Sequence, residues 1–155
     1  MKRIQMLVAC TAVAGAGLVA LAAVPMVAQA ATVEARESMR GPILTNAAGF
    51  TLYIFTADKK HIDHCVFIEG IYGSCPAIWP PLEVAEGELP TAGMGIKSKF
   101  LGTTTLPSGA KQVTFKKHPL YTYSKDVGPA ETSYFGFPAF GGLWYGLSSK
   151  GKVIK

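Results

Sequence analysis

"TLYIFTAD", Thr51–Asp58, is the stretch on which the reading of this chain turns. Side chains alternate along a strand, so Tyr53 and Phe55 face one side while Leu52 and Ile54 face the other. Apolar residues on both faces predict a strand covered on both sides. Upstream, "GPILTNAAGF", Gly41–Phe50, supplies the other arm of a hairpin, with Asn46 and Gly49 as its turn residues. The pattern then returns as "PLYTYSKD", Pro119–Asp126, in which Tyr121, Tyr123 and Asp126 take the offsets of Tyr53, Phe55 and Asp58. A short strand of this kind cannot bury two faces alone, so the two copies are expected to meet around one core. The aromatic pairs read as core or cross-strand contacts. Asp58 and Asp126, each at a strand end, read as caps that accept nearby backbone N–H groups.

Working outward, Gly and Pro punctuate the chain ("WPPL", "LPSGAK", "VGPAET", "GFPAFGG") and no window carries a sustained helical period. "KQVTF", "PLYTYS" and "LWYGLSS" read as strands, the last turning at "SKGK" into a terminal hairpin. The expected fold is all-β: one small domain over 41–155, sandwich- or barrel-like, with long loops over about 59–78, 83–98 and 127–141. Repeat 1 spans about 41–100 and repeat 2 about 101–155, after a flexible lead-in at 31–40.

The N-terminus has a short basic start, "MKR", an apolar run from Leu7 to Val24, and the small-x-small site Ala28–Ala30. That layout predicts a signal peptide over 1–30 and export to the periplasm or beyond, with no integral membrane segment after processing. "LVAC", Leu7–Cys10, has the letters of a lipoprotein box, but a cut there would leave a long apolar stretch on the mature chain. Lipid anchoring at Cys10 is therefore not expected. Lysines and acids are scattered along the chain rather than gathered on one element, which argues against nucleic acid as a partner.

Cys65 and Cys75 are the two cysteines left after the leader. In an oxidising compartment a lone pair predicts a disulfide. A redox pair would favour Cys-x-x-Cys, and a metal site is the third reading. The enclosed "VFIEGIYGS" is apolar, and the economical expectation is that it folds back on the core. Otherwise it presents Phe67, Ile71 and Tyr72, with Trp79 of "WPP" beside them, as a binding surface. Trp79 itself reads first as a lid on the core. His61 and His64 in "HIDHC", together with His118, form the alternative of a copper, zinc or haem site, which Met94 could join. The ligand set is incomplete, so no cofactor is expected. No catalytic motif is present, and the chain is not expected to be an enzyme; a hydrolase would need Asp58 or His118 clustered in one pocket.

Together, Tyr-x-aromatic-x-x-Asp, the hairpin "TNAAGFTLYIF", the "C…C…WPPL" segment, "QVTF…HPLYTYSKD" and the late "GLWY" resemble bacterial predicted lipoproteins, also called the secreted repeat of unknown function. The resemblance runs from about Gly41 to Leu147 and implies an exported, β-rich tandem repeat with no established activity and no catalytic residues to carry over. This chain departs from the pattern in its wider cysteine spacing and in the aromatic richness of "DVGPAETSYFGFPAFGG". The functional expectation is a disulfide-stapled module that binds a small ligand or an envelope protein, or has an envelope-associated structural role.

Overall fold

A computed structural model describes residues 32–155. The expected signal peptide over 1–30 and Cys10 lie outside the described residues. The chain is strand-dominated, with strands β1 (Thr32–Arg36), β2 (Ile43–Asn46), β3 (Tyr53–Phe55), β4 (Glu83–Val84), β5 (Thr91–Ala92), β6 (Leu101–Thr105), β7 (Lys111–Phe115), β8 (His118–Pro119), β9 (Phe137–Ala139), β10 (Gly142–Leu147) and β11 (Val153–Ile154). Among the described residues the one α-helix is a single turn, α1 (Cys75–Ile78), with proline in its first turn. All-β is therefore correct, but the strands form several small sheets and not a closed barrel.

Three sheets are present among the described residues: β2-β1-β5; β11-β10-β3, with β9 also on β10; and β4-β7-β6, with β8 also on β7. The turn at Asn46 forms as its chemistry predicts: Asn46 Oδ1 accepts the Phe50 amide at 3.0 Å and Gly49 takes φ +91°. "KQVTF" is β7, and the "SKGK" turn joins β10 to β11 as an antiparallel hairpin. The expected flexible lead-in is corrected: residues 32–36 pair antiparallel with β2 and parallel with β5, and Val33 is fully buried. A single buried Val in a polar run gives periodicity arguments little to detect, and long-range pairing decides its conformation.

β3 divides the core as alternation predicts. Leu52 and Ile54 enter one cluster with Leu44, Val113, Phe115 and Leu120, while Tyr53 and Phe55 enter a second, aromatic one with both cysteines, Trp79 and Trp144. The two halves of the chain also interdigitate: β3 pairs with β10 and β4 pairs with β7, so each half completes its sheet with a strand from the other. Neither half is then expected to fold alone. A chain cut to 101–155 should show no cooperative urea transition by circular dichroism, because β10 loses β3, β7 loses β4, and both core clusters lose the side chains of the first half.

Candidate functional site: an aromatic stack and the groove beside it

The two Tyr-x-aromatic-x-x-Asp copies meet around a local two-fold arrangement. Tyr53 and Tyr121 exchange backbone hydrogen bonds, at 2.8 and 3.0 Å. The Tyr53 hydroxyl donates to Asp126, at 3.1 Å, and the Tyr121 hydroxyl donates to Asp58, at 2.8 Å. Each tyrosine thus reaches the aspartate of the other copy. The amide of Thr56 donates to the Leu143 carbonyl, and the amide of Ser124 donates to the Ile78 carbonyl, so each copy is tied to the residue before a tryptophan. Trp79 lies edge-on to Tyr53 at 5.1 Å, as Trp144 does to Tyr121 at 5.1 Å.

Between these pairs runs a stack of four rings. Tyr123 stacks on Trp79 at 4.1 Å, Trp79 on Trp144 at 4.0 Å and 3° between planes, and Trp144 on Phe55 at 4.4 Å. Both tryptophans are fully buried, and neither indole N–H has an acceptor among the described residues. Trp79 is therefore a core residue and not an exposed platform, which corrects the surface reading for that residue. Trp144 was legible only as part of "GLWY"; the signal for its role is that it follows Tyr121 at a spacing close to that of Trp79 after Tyr53.

The cap expected of both aspartates forms at Asp58 alone: Asp126 accepts the Tyr53 hydroxyl and no backbone amide among the described residues. Asp58 Oδ1 accepts the His64 amide at 2.8 Å, a local cap, while Oδ2 takes the Tyr121 hydroxyl. Burial is the largest influence on both carboxyls and pushes Asp58 and Asp126 up to about 7, against the opposing pull of their hydrogen bonds. A second acid stands near each: Asp63 raises Asp58 further, and Glu131 raises Asp126. Burial and the facing carboxylates push both tyrosine hydroxyls well above their usual range, so they stay protonated donors.

The disulfide Cys65–Cys75 is formed, with its Cα atoms 5.3 Å apart and both residues fully buried against the aromatic cluster. It closes the loop over 66–74. Only part of that loop packs back: Phe67, Ile71 and Tyr72 are 70%, 91% and 88% exposed. Val66 and Ile68 are half-buried. The economical expectation of a folded-back loop therefore holds for its base and fails at its tip. Cys65→Ser/Cys75→Ser is expected to lower stability by about 2.7 kcal/mol from loop-closure entropy, measured by urea denaturation.

Opposite the loop tip lies the β9–β10 hairpin. Ala139 pairs with Gly142, leaving Phe140-Gly141 as a two-residue turn with φ +56° and +82°. Both positive values are those of a type I′ turn, which favours Asn-Gly. A phenylalanine there is strained, by roughly 1–2 kcal/mol. Its ring touches the loop so closely that a Cβ added to Gly70 would stand 2.7 Å from it. Loop and hairpin enclose a groove of about 630 Å³, lined by Ile68, Ile71, Tyr72, Phe137 and Phe140 with Trp79 and Tyr123 beneath. Glu69 and Lys125 are its charged lining residues.

The other expected site residues are not gathered here. Phe67 lines a separate hollow with His61 and Asp63. Among the described residues no group of three or more His, Cys, Asp or Glu is placed to hold a metal ion, so His61, His64 and His118 do not converge. His118 is held below its usual range by burial and by Lys60. Asp58 is hydrogen-bonded to His64 and Tyr121 and not to His118, which leaves the hydrolase reading without its cluster. Among the described residues no helix is long and apolar enough to cross a membrane.

Residues 102–147 match the family model described as "Secreted repeat of unknown function". No curated protein and no solved structure matches the chain. The matched segment contains the second motif copy and Trp144, and the first copy lies before it. Over residues 102–147, this disulfide-containing β chain is therefore similar to the secreted repeats of unknown function.

Proposed function

We propose that this protein is an exported binding module that holds a small, flat, apolar ligand in the groove between the Cys65–Cys75 loop and the β9–β10 hairpin. Phe140 carries the reading. A strained backbone that persists in a tight turn points to use of the side chain it displays, and this ring forms one wall of the groove. The groove's volume, about 630 Å³, lies within the range of small-molecule sites. Its lining is aromatic and aliphatic, with Lys125 and Glu69 available to orient a polar substituent. The exposed Ile71 and Tyr72 gain burial when a ligand lies across them. A fold-stabilising role alone would favour asparagine at position 140.

The test is a titration with a neutral fluorescent aromatic, 1-aminoanthracene, following both probe emission and tryptophan quenching, since Trp79 lies beneath the groove. Saturable, blue-shifted binding is expected. Phe140→Asn is expected to weaken it about tenfold through the lost ring contact. Its folding stability should stay within about 1 kcal/mol of the parent, because relief of backbone strain offsets the lost packing. Linear, unsaturable emission with the parent protein would remove the reading.

A further inference from the structure

A second cleft shares no lining residue with the groove. Three loops meet there: Lys60-His61, Lys99–Gly102, and Thr114 with the β7–β8 turn Lys116-Lys117. The cleft encloses about 450 Å³ and has no acidic residue in its lining. Among the described residues the ion pair present is Arg36–Glu34, so none of the four lysines has a carboxylate partner. Phe100 lies under two of them: Lys116 Nζ sits 4.5 Å, and Lys99 Nζ 5.5 Å, from its ring centroid. Lys116 also donates to the Lys150 carbonyl.

The backbone at this cleft is strained where the basic residues stand. Phe115 pairs with His118, so Lys116-Lys117 is a two-residue hairpin turn, with φ +48° and +74°. That is again the type I′ position that favours Asn-Gly. His61, at φ +60°, is a third non-glycine residue in the left-handed region. Three of the five non-glycine residues at positive φ among the described residues thus lie in one cleft, all of them lysine or histidine. Backbone bonds lock the loops together: the His61 amide donates to the Lys117 carbonyl at 2.8 Å, and the Lys116 amide to the Phe100 carbonyl at 2.7 Å. The Thr104 hydroxyl donates to the His61 carbonyl at 2.5 Å. Like charges held together in a concave site, without counter-charge and at a conformational cost, create a positive potential that an anion relieves.

The geometry points to a binding site for a phosphate group in the cleft formed by Lys60, His61, Lys99, Lys116 and Lys117. Its size admits one or two phosphates and not a duplex. The phosphate is either free or the headgroup of an anionic lipid, the second being the surface that an exported protein meets.

The test uses the mature chain at low salt in three arms. Pyrophosphate is titrated against the isotope-labelled protein and amide shifts are followed by nuclear magnetic resonance. Phosphatidylglycerol and phosphatidylcholine vesicles are compared by co-sedimentation. A single-stranded oligonucleotide competes. The expected result is saturable shifts confined to residues 60–61, 99–102 and 114–117, or preference for phosphatidylglycerol, either of which sodium chloride abolishes. Shifts with pyrophosphate identify a free phosphate ligand; vesicle binding without them identifies the headgroup. Lys116→Asn/Lys117→Gly converts the turn to its favoured sequence. It is expected to raise the unfolding temperature and to weaken anion binding about thirtyfold. Lys111→Gln/Lys155→Gln removes the same charge elsewhere and should bind as the parent does. Absence of binding in the first two arms overturns the inference. So do equal losses in the two double variants, and tighter binding of the oligonucleotide than of either phosphate source.

Discussion

Trp144→Ala is expected to destabilise the protein by about 3–5 kcal/mol, the range for deleting a large buried aromatic. Trp144 is fully buried, stacked on both faces by Trp79 and Phe55, and edge-on to Tyr121. It also sits on β10, which pairs with strands β3, β9 and β11. The cavity would therefore open where the two halves of the chain join, and collapse is limited by backbone pairing on each side. Against a total stability of about 5–15 kcal/mol, the loss leaves the variant marginal. Urea denaturation followed by circular dichroism measures it. Trp144→Phe keeps a ring in the stack and should retain most of the difference. Trp79→Ala, and the double variant, then give the coupling between the two rings, expected at about 0.5–1.5 kcal/mol. A loss under about 1 kcal/mol for Trp144→Ala would show that the stack does not hold the two halves of the chain together.

The second large effect is an inverted pH dependence. Asp58 and Asp126 are pushed up to about 7 in the folded protein from an ordinary 3.8, chiefly by burial. Between those values the native state binds more protons than the denatured chain, so stability is complete below about pH 4 and is lost as pH rises through 7. Asp58 accounts for about 3 kcal/mol of this, and the more exposed Asp126 for about 1 after allowance for screening. His118 works the other way: held below 6.5, it removes stability as pH falls past that value. The net expectation is a urea midpoint that falls from pH 4.5 to 7.5, the reverse of ordinary acid denaturation. Asp58→Asn keeps a partner for the Tyr121 hydroxyl and should flatten most of the slope. A parent midpoint that rises over the same interval would show that the hydrogen bonds from Tyr53 and Tyr121 outweigh burial, leaving both carboxyls ionised at no cost.

The local structure was legible wherever a physical rule acts on neighbours in the chain. Alternation in "TLYIFTAD" assigned Leu52 and Ile54 to one core and Tyr53 and Phe55 to the other, because strand geometry leaves no other choice. Asn46 and Gly49 announced their turn through local hydrogen bonding and glycine's freedom at positive φ. β1 was missed because its signal is a single buried valine. β6 gives no apolar alternation either, with three threonines in a row, and forms because β7 lies beside it.

What the sequence determined by itself was the β-rich class, the repeated motif and the cysteine pair that the structure joins. These follow from periodicity, turn chemistry and residue count, which require no knowledge of distant neighbours. Tertiary structure alone decided that each tyrosine would reach the other copy's aspartate, that Trp79 and Trp144 would stack, and that lysines from three loops would share one cleft. Charges scattered along the chain converge only when strand pairing brings their loops together. Position in sequence records bonding order, whereas burial and electrostatic potential depend on distances in space that only the pairing of β3 with β10 and β4 with β7 sets.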